Sequence, residues 1–210
     1  MTSATERPGL NGGEAAPADL RPDAVNVLMV CTGNICRSPA AHLLLEASLH
    51  GAGPITVTSA GTMALVGEPV FAPIERLLRS RGIDPGGFGA SLLTERGVRS
   101  ASLVLGMTRA HRGQAVSLSP AAVRRSFTLK EFARLAGQVP STALTALAGS
   151  ASPAARLSAL TQLAGRYRAP VPDTDDDVDD PYRRGDEVNA RVFDEIERAV
   201  ATIVSITLGR

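Results

Sequence analysis

Cys31 and Arg37 stand at the first and seventh positions of the octapeptide Cys31-Thr32-Gly33-Asn34-Ile35-Cys36-Arg37-Ser38. The apolar run Val25-Asn26-Val27-Leu28-Met29-Val30 precedes it, and a helix-like stretch opening near Pro39 follows. A loop between a strand and a helix start presents unpaired backbone N–H groups and the positive end of the helix dipole, which together bind a phosphate-sized anion. A thiol at the loop's first position sits in that field, which favours thiolate, the nucleophilic form. The planar fork of Arg37 can take two oxygens of a tetrahedral oxyanion. Gly33 can adopt unusual backbone angles and Asn34 tolerates the left-handed region. Thr32, Gly33, Asn34, Ile35, Cys36 and Ser38 are therefore expected to form the phosphate-binding loop around Cys31 and Arg37.

Displacing an alkoxide or phenolate from phosphorus requires an acid to protonate it as it departs. His42, His50 and His111 fall within or beside predicted helices, where a solvated or packed imidazole is the expected role. The other candidates are the aspartates of Asp173-Thr174-Asp175-Asp176-Asp177-Val178-Asp179-Asp180-Pro181-Tyr182. Crowding of carboxylates would raise the pKa of one of them. Asp180 is singled out because Pro181 fixes the following backbone and Tyr182 supplies an aromatic wall.

These groups need a scaffold, and the pattern from Val25 onward is α/β. Strands are expected at Val25 to Val30, Ile55 to Ser59, Ala101 to Leu105 and Ser126 to Leu129. Helices are expected at Ser38 to about His50, Phe71 to Arg81, Leu92 to Val98, Thr108 to about Ser117 and Lys130 to Ala136. Thr108 is a candidate cap. A further helix opens at Ser152 or Pro153 and reaches Tyr167, with Leu157, Leu160 and Leu163 on one face. The last runs from about Asp186 to Ile206. Strands alternating with helices imply a parallel sheet with right-handed crossovers.

Residues 1–23 carry no hydrophobic period and no apolar leader core, so they read as a disordered tail. Residues 24–210 then form one α/β domain, with an Ala/Ser/Leu-rich insertion at about 137–170 acting as a helical cap or a mobile segment. The net charge of +1 gives no reason to expect nucleic acid as a partner, and no apolar stretch is long enough for membrane insertion. Cys31 and Cys36 are the only cysteines. A nucleophilic thiol without a disulfide framework points to a reducing, cytoplasmic compartment.

Cys31 to Ser38 together with Asp180-Pro181-Tyr182 resembles the low-molecular-weight protein tyrosine phosphatase family, in its bacterial type. Ser59-Ala60-Gly61-Thr62, Gly67-Glu68-Pro69, Gly82-Ile83-Asp84 and the strand ending at Met107 extend the similarity. The resemblance implies a three-layer α/β sandwich around a four-stranded parallel sheet. It also implies a cysteine-dependent phosphomonoesterase without a cofactor or metal. Cys31 would form a phosphocysteine, Arg37 and the loop N–H groups would stabilise the equatorial oxygens, and Asp180 would protonate the leaving group and then activate water. Ser38 would hydrogen-bond the sulfur, Ser59 would help Asn34 shape the loop, and Cys36 would be able to trap Cys31 as a disulfide. The implied partner is a phosphorylated protein, with a bacterial tyrosine kinase as one such substrate.

Three departures qualify that expectation. Met63-Ala64-Leu65-Val66 replaces an aromatic cleft wall, leaving Tyr182 to stand alone. Arg183 follows Tyr182 where a second aromatic often occurs, and favours an acidic substrate segment. Phe88-Gly89-Ala90-Ser91-Leu92 replaces a histidine-basic motif, leaving part of the Asn34 support unassigned. Two other functions fit the same loop: arsenate reduction with an external thiol, and non-catalytic binding of phosphoproteins.

Overall fold

The computed structural model describes residues 24–149, 152–172 and 176–210. The expected tail at residues 1–23 lies outside the described residues, as do Asp173 and Asp175 of the acidic run. Among the described residues, four strands form one parallel sheet: β1 (Val25–Cys31), β2 (Ile55–Gly61), β3 (Leu103–Gly106) and β4 (Ser126–Thr128), in the order β2-β1-β3-β4. The central strand β1 is hydrogen-bonded on both edges, pairing Cys31 with Gly61 and Val30 with Gly106. Its near-continuous apolar sequence reflects burial on both faces of the sheet.

Alternation along β1 divides the core. Val25, Val27, Met29 and Cys31 face one layer, built with α1 (Arg37–Ser48), α2 (Ala72–Ser80), α5 (Leu129–Ala136), α7 (Pro153–Ala164) and α8 (Asp186–Leu208). Leu28 and Val30 face the other, with Val98 of α3 (Glu95–Ser100) and Ala115 of α4 (Arg109–Leu118). The result is the expected three-layer α/β sandwich. Its larger layer contains the long helix α8, which buries Val192, Phe193, Ile196, Val200 and Ile203 at helical spacing.

Local chemistry sets several boundaries. Thr128 opens α5 with a capping box: its hydroxyl accepts from the Glu131 N–H and the Glu131 carboxylate accepts from the Thr128 N–H. Thr108 caps α4 as expected. The helix expected from Leu92 begins instead at Glu95, because Thr94 caps it by accepting from the Gly97 N–H. Leu92 meanwhile makes an isolated parallel bridge with Gly61.

Ser152 caps α7, whose Leu157, Leu160 and Leu163 join the larger core cluster. A 3-10 turn at Gly165–Tyr167 ends that helical stretch. The sequence pattern did not mark α6 (Ser141–Ala148), which buries Leu144 alone among its residues. No helix among the described residues is long and apolar enough to cross a membrane.

Candidate active site

All four strands deliver their carboxyl ends to one edge of the sheet, where α/β sheets bind ligands. β1 ends at Cys31, and α1 begins at Arg37, so the intervening loop lies against the first turn of α1, whose N–H groups have no partner within the helix. Thr62 and Met63 donate backbone bonds to the carbonyls of Cys31 and Thr32, and Leu65 donates to that of Gly33. These clasp the segment after β2 against the loop. The approach is close enough that Gly61 has no room for a side chain: a Cβ there would lie 2.5 Å from the Thr32 carbonyl oxygen.

The loop is held by a directed hydrogen-bond chain. Asn34, in the left-handed region at φ 55°, donates from Nδ2 to the hydroxyls of Ser38 and Ser59, each across 2.9 Å. Its Oδ1 accepts from the Ser91 backbone N–H at 2.8 Å. With Ser38 Oγ already accepting from Asn34, its own proton is directed to Cys31 Sγ, 2.9 Å away, where the Asn34 N–H also arrives at 3.3 Å. The sulfur is thus held in place by two donors, one from a side chain and one from the backbone.

Ser59 in turn reaches His42 Nδ1 at 3.2 Å. Burial lowers the pKa of His42, so the ring is neutral and can accept from Ser59. The Asn34 support therefore has its partners. Ser91 supplies it through the backbone, which any residue other than proline at that position would do, and His42 supplies it from α1 rather than from the segment around Phe88.

His111 supports the loop in a way that its sequence context did not reveal. Its ring bridges Thr32 Oγ1 at 2.9 Å and Thr108 Oγ1 at 2.8 Å, tying the loop to the start of α4. Burial, followed by the positive charge of Arg37, pushes its pKa down to about 4. The available signal was its place three residues after the Thr108 cap, which brings the imidazole back over the helix start.

Asp180 arrives from the other end of the chain. The Val178 N–H donates to the Met107 carbonyl, Thr128 Oγ1 donates to the Asp176 carbonyl, and Lys130 Nζ donates to that of Asp177. These bonds moor the acidic segment to the ends of β3 and β4. The Tyr182 N–H donates to Asp180 Oδ1 at 3.1 Å, setting the turn around Pro181.

The expected crowding of carboxylates does not occur among the described aspartates. Asp176 is buried against Arg109 and Arg134, Asp177 accepts from the Arg109 N–H, Asp179 pairs with Arg191, and Asp180 pairs with Arg37. The bond from Arg191 holds the Asp179 carboxyl below its ordinary value. Asp176, Asp179 and Asp180 face different guanidinium groups and Asp177 a backbone N–H, because donors from separate elements converge on the segment.

Arg37 is buried, and its fork is directed at the acidic segment: Nη2 donates to Asp180 Oδ2 at 2.7 Å and Nη1 to the Val178 carbonyl at 3.2 Å. Its buried Nε has no partner among the described residues. Cys31 and Cys36 are both free thiols. Cys36 is pushed up to about 12, first by burial and then by the neighbouring Cys31 and Asp180, so it stays protonated at neutral pH.

Cys31, Thr32, Gly33, Ile35, Cys36, Arg37, Asp180 and Tyr182 line a single pocket of about 200 Å³, with Met63 and Leu65 completing its wall. Asn34, Ser38 and Ser59 stand behind it. Every residue expected at the site is thus brought there, either as lining or as support. Tyr182 does not stand alone, since Phe71 packs edge-on against it with ring centroids 5.3 Å apart. The arrangement offers a nucleophilic sulfur, oxyanion donors and a carboxyl group on one apolar-walled cavity.

Comparison with known proteins agrees with this architecture. A protein-arginine-phosphatase of Geobacillus stearothermophilus is 38% identical over 107 residues, covering 50% of this chain and 70% of that protein. The low molecular weight protein-tyrosine-phosphatase Etp of Escherichia coli K12 is 36% identical over 95 residues, covering 45% and 62% respectively. The crystal structure of a low molecular weight protein tyrosine phosphatase from T. tengcongensis superposes with a TM-score of 0.62 at 27% identity, covering 87% of this chain and 99% of that one. The model of the family described as low molecular weight phosphotyrosine protein phosphatase matches residues 26–140, and with the loop, the sheet order and the site edge in agreement, the chain belongs to that family.

Proposed function

We propose that this hydrolase removes phosphate from tyrosine side chains of proteins through a phosphocysteine intermediate. The Cys31 thiolate attacks phosphorus in line with the ester oxygen, the S–P bond forms, and the P–O bond breaks. The departing phenolate takes its proton from Asp180. Arg37 and the loop N–H groups hold the equatorial oxygens as charge develops on them, where fixed donors in a shielded pocket are most effective. Water then attacks the phosphocysteine, passes a proton to Asp180, and releases phosphate with Cys31 again a thiolate.

The observation that carries this reading is one pocket lined by Cys31, Arg37 and Asp180 together and bounded by Ile35, Met63, Leu65 and Tyr182. The apolar boundary suits the phenyl ring of phosphotyrosine. A phosphoarginine guanidinium would bring several N–H donors into a cavity whose one lining carboxylate, among the described residues, is Asp180, already bonded to Arg37. Most of those donors would lack a charged acceptor in the pocket. Intact Cys31, Arg37 and Asp180 lining one pocket also favour turnover over passive phosphoprotein binding. A bacterial tyrosine kinase carrying phosphotyrosine fits as substrate, and a cytoplasmic location suits the two free thiols.

The deciding experiment compares kcat/KM for matched phosphotyrosine and phosphoarginine peptides, with Cys31→Ser as control. The phosphotyrosine peptide is expected to be favoured and Cys31→Ser to be inactive. Preference for phosphoarginine, or activity persisting in Cys31→Ser, would overturn the proposal.

A further inference from the structure

A second groove of about 490 Å³ opens beside the candidate catalytic pocket and shares Ile35, Leu65 and Tyr182 with it. Its floor is the buried Val70 with Pro69 and Phe71, and its polar lining is acidic, from Glu68 and Glu75. Phe71 links the two cavities physically, because its ring packs against Tyr182. Its N–H also donates to the Ile35 carbonyl, fixing the groove's position relative to the loop.

The two carboxylates are not equivalent. Glu75 Oε1 accepts from Arg79 Nε at 3.0 Å, which offsets part of its charge. Glu68 is exposed and its carboxylate has no hydrogen-bond or ion-pair partner among the described residues. Leu65 and Val66 beside it are also exposed, so the rim combines an unpaired anion with apolar surface. Lysine and arginine match such a rim, because their aliphatic stems cover apolar atoms while the cationic head meets carboxylate.

Resting on the phosphotyrosine reading above, we propose that this groove is a substrate subsite that selects a lysine or arginine flanking the phosphotyrosine. The phosphorylated side chain enters the Cys31 pocket past Tyr182, and the adjoining backbone crosses the shared wall. A basic neighbour on the groove side then lays its stem over Leu65, Val70 and Phe71 and directs its charge to Glu68 and Glu75. An acidic neighbour meets two carboxylates instead. Arg183, whose guanidinium lies 4.9 Å from the centre of the Tyr182 ring, supplies the opposite charge beside Tyr182 without lining the groove, so peptide orientation decides which residue is selected.

The test uses phosphotyrosine peptides identical except for Lys, norleucine or Glu, placed in turn at each position within about three residues of the phosphotyrosine. Each kcat/KM is normalised to the same protein's rate on p-nitrophenyl phosphate. At one or more of these positions wild type is expected to favour Lys over Glu by about three- to tenfold, with norleucine between them. The preference should weaken as ionic strength rises.

Glu68→Gln combined with Glu75→Gln is expected to bring the Lys/Glu ratio toward one, and Glu68→Lys to invert it. A ratio near one at every position in wild type, or a Lys preference undiminished in the double variant, would overturn the subsite. Loss of the phosphotyrosine reading would register separately, as preference of wild type for the matched phosphoarginine peptide or as hydrolysis that persists in Cys31→Ser.

Discussion

Arg37 Nη2 and Asp180 Oδ2 are 2.7 Å apart although 143 positions separate the two residues, and the pair is asymmetric, with the arginine side chain 6% exposed and the aspartate 53% exposed. The guanidinium is a fixed part of the sheet edge, while the carboxylate lies at the pocket mouth. This asymmetry matches their proposed roles. Those roles call for a fixed oxyanion donor and for a proton donor open to the group that leaves.

Replacing Asp180 with Asn removes the proton but keeps the shape. A fall in kcat of roughly 10²- to 10⁴-fold is expected for a tyrosine-like leaving group, and a smaller one for nitrophenolate, which departs without protonation. Rates across aryl phosphates of graded leaving-group pKa check this. A uniform loss across the series would show that Asp180 does not donate the proton.

Arg37→Lys preserves charge and loses the fork. Since Nη1 and Nη2 serve the Val178 carbonyl and Asp180 together, a single ammonium cannot keep both bonds and meet phosphate oxygens as well. A drop of about 10²- to 10³-fold in kcat/KM is expected, with weaker inhibition by inorganic phosphate. Steady-state kinetics with phosphate as competitor measures both.

Cys36 should be chemically silent at neutral pH. With its thiol pushed up to about 12, iodoacetamide at pH 7 is expected to label Cys31 and spare Cys36, as peptide mass spectrometry would resolve. Equal labelling of the two would refute the assignment.

His111 gives the fold a pH dependence of defined sign. Its folded-state pKa, about 4, lies below the ordinary value of 6.5, so between those limits the unfolded chain binds more protons. The contribution of the neutral ring is complete above pH 6.5 and is lost as pH falls toward 4, amounting to at most about 3 kcal/mol. His111→Gln should flatten this part of the stability profile, measured by urea denaturation at stepped pH. An unchanged slope would exclude His111 as its source.

Gly61→Ala tests the clasp between β2 and the loop. The added methyl would meet the Thr32 carbonyl at 2.5 Å and Ala64 Cα at 2.9 Å, both backbone atoms that cannot swing away. A stability loss of about 1–3 kcal/mol is expected, together with weaker phosphate binding as Thr32 shifts. Denaturation and competitive inhibition by phosphate would report the two effects.

The local chemistry was legible because it is contiguous. Strand, glycine-containing turn and helix start follow one another through Val25 to Ser48, so backbone donors, thiol and guanidinium meet in one loop whatever surrounds it. Thr108 and Ser152, which open their helices, also act within three residues of themselves. Asp180 was recognisable because Pro181 and Tyr182 mark a rigid turn.

What surrounds the loop was decided by register and packing. Pairing of Met29 with Ser59 and Cys31 with Gly61 sets Ser59 beside Asn34 and brings the segment after Gly61 onto Thr32. Helix packing turns His42 toward Ser59, and the mooring at Met107 and Thr128 carries Asp180 to Arg37 and separates aspartates that sequence proximity suggested would crowd. Phe71 reaches Tyr182 by the same means. Sequence by itself determined which groups could bind an oxyanion, attack it and protonate its leaving group, since these properties belong to side chains and their immediate backbone. Only the tertiary structure decided which partners orient them, because contacts between distant residues depend on how strands and helices bury their apolar faces, and no local pattern records that.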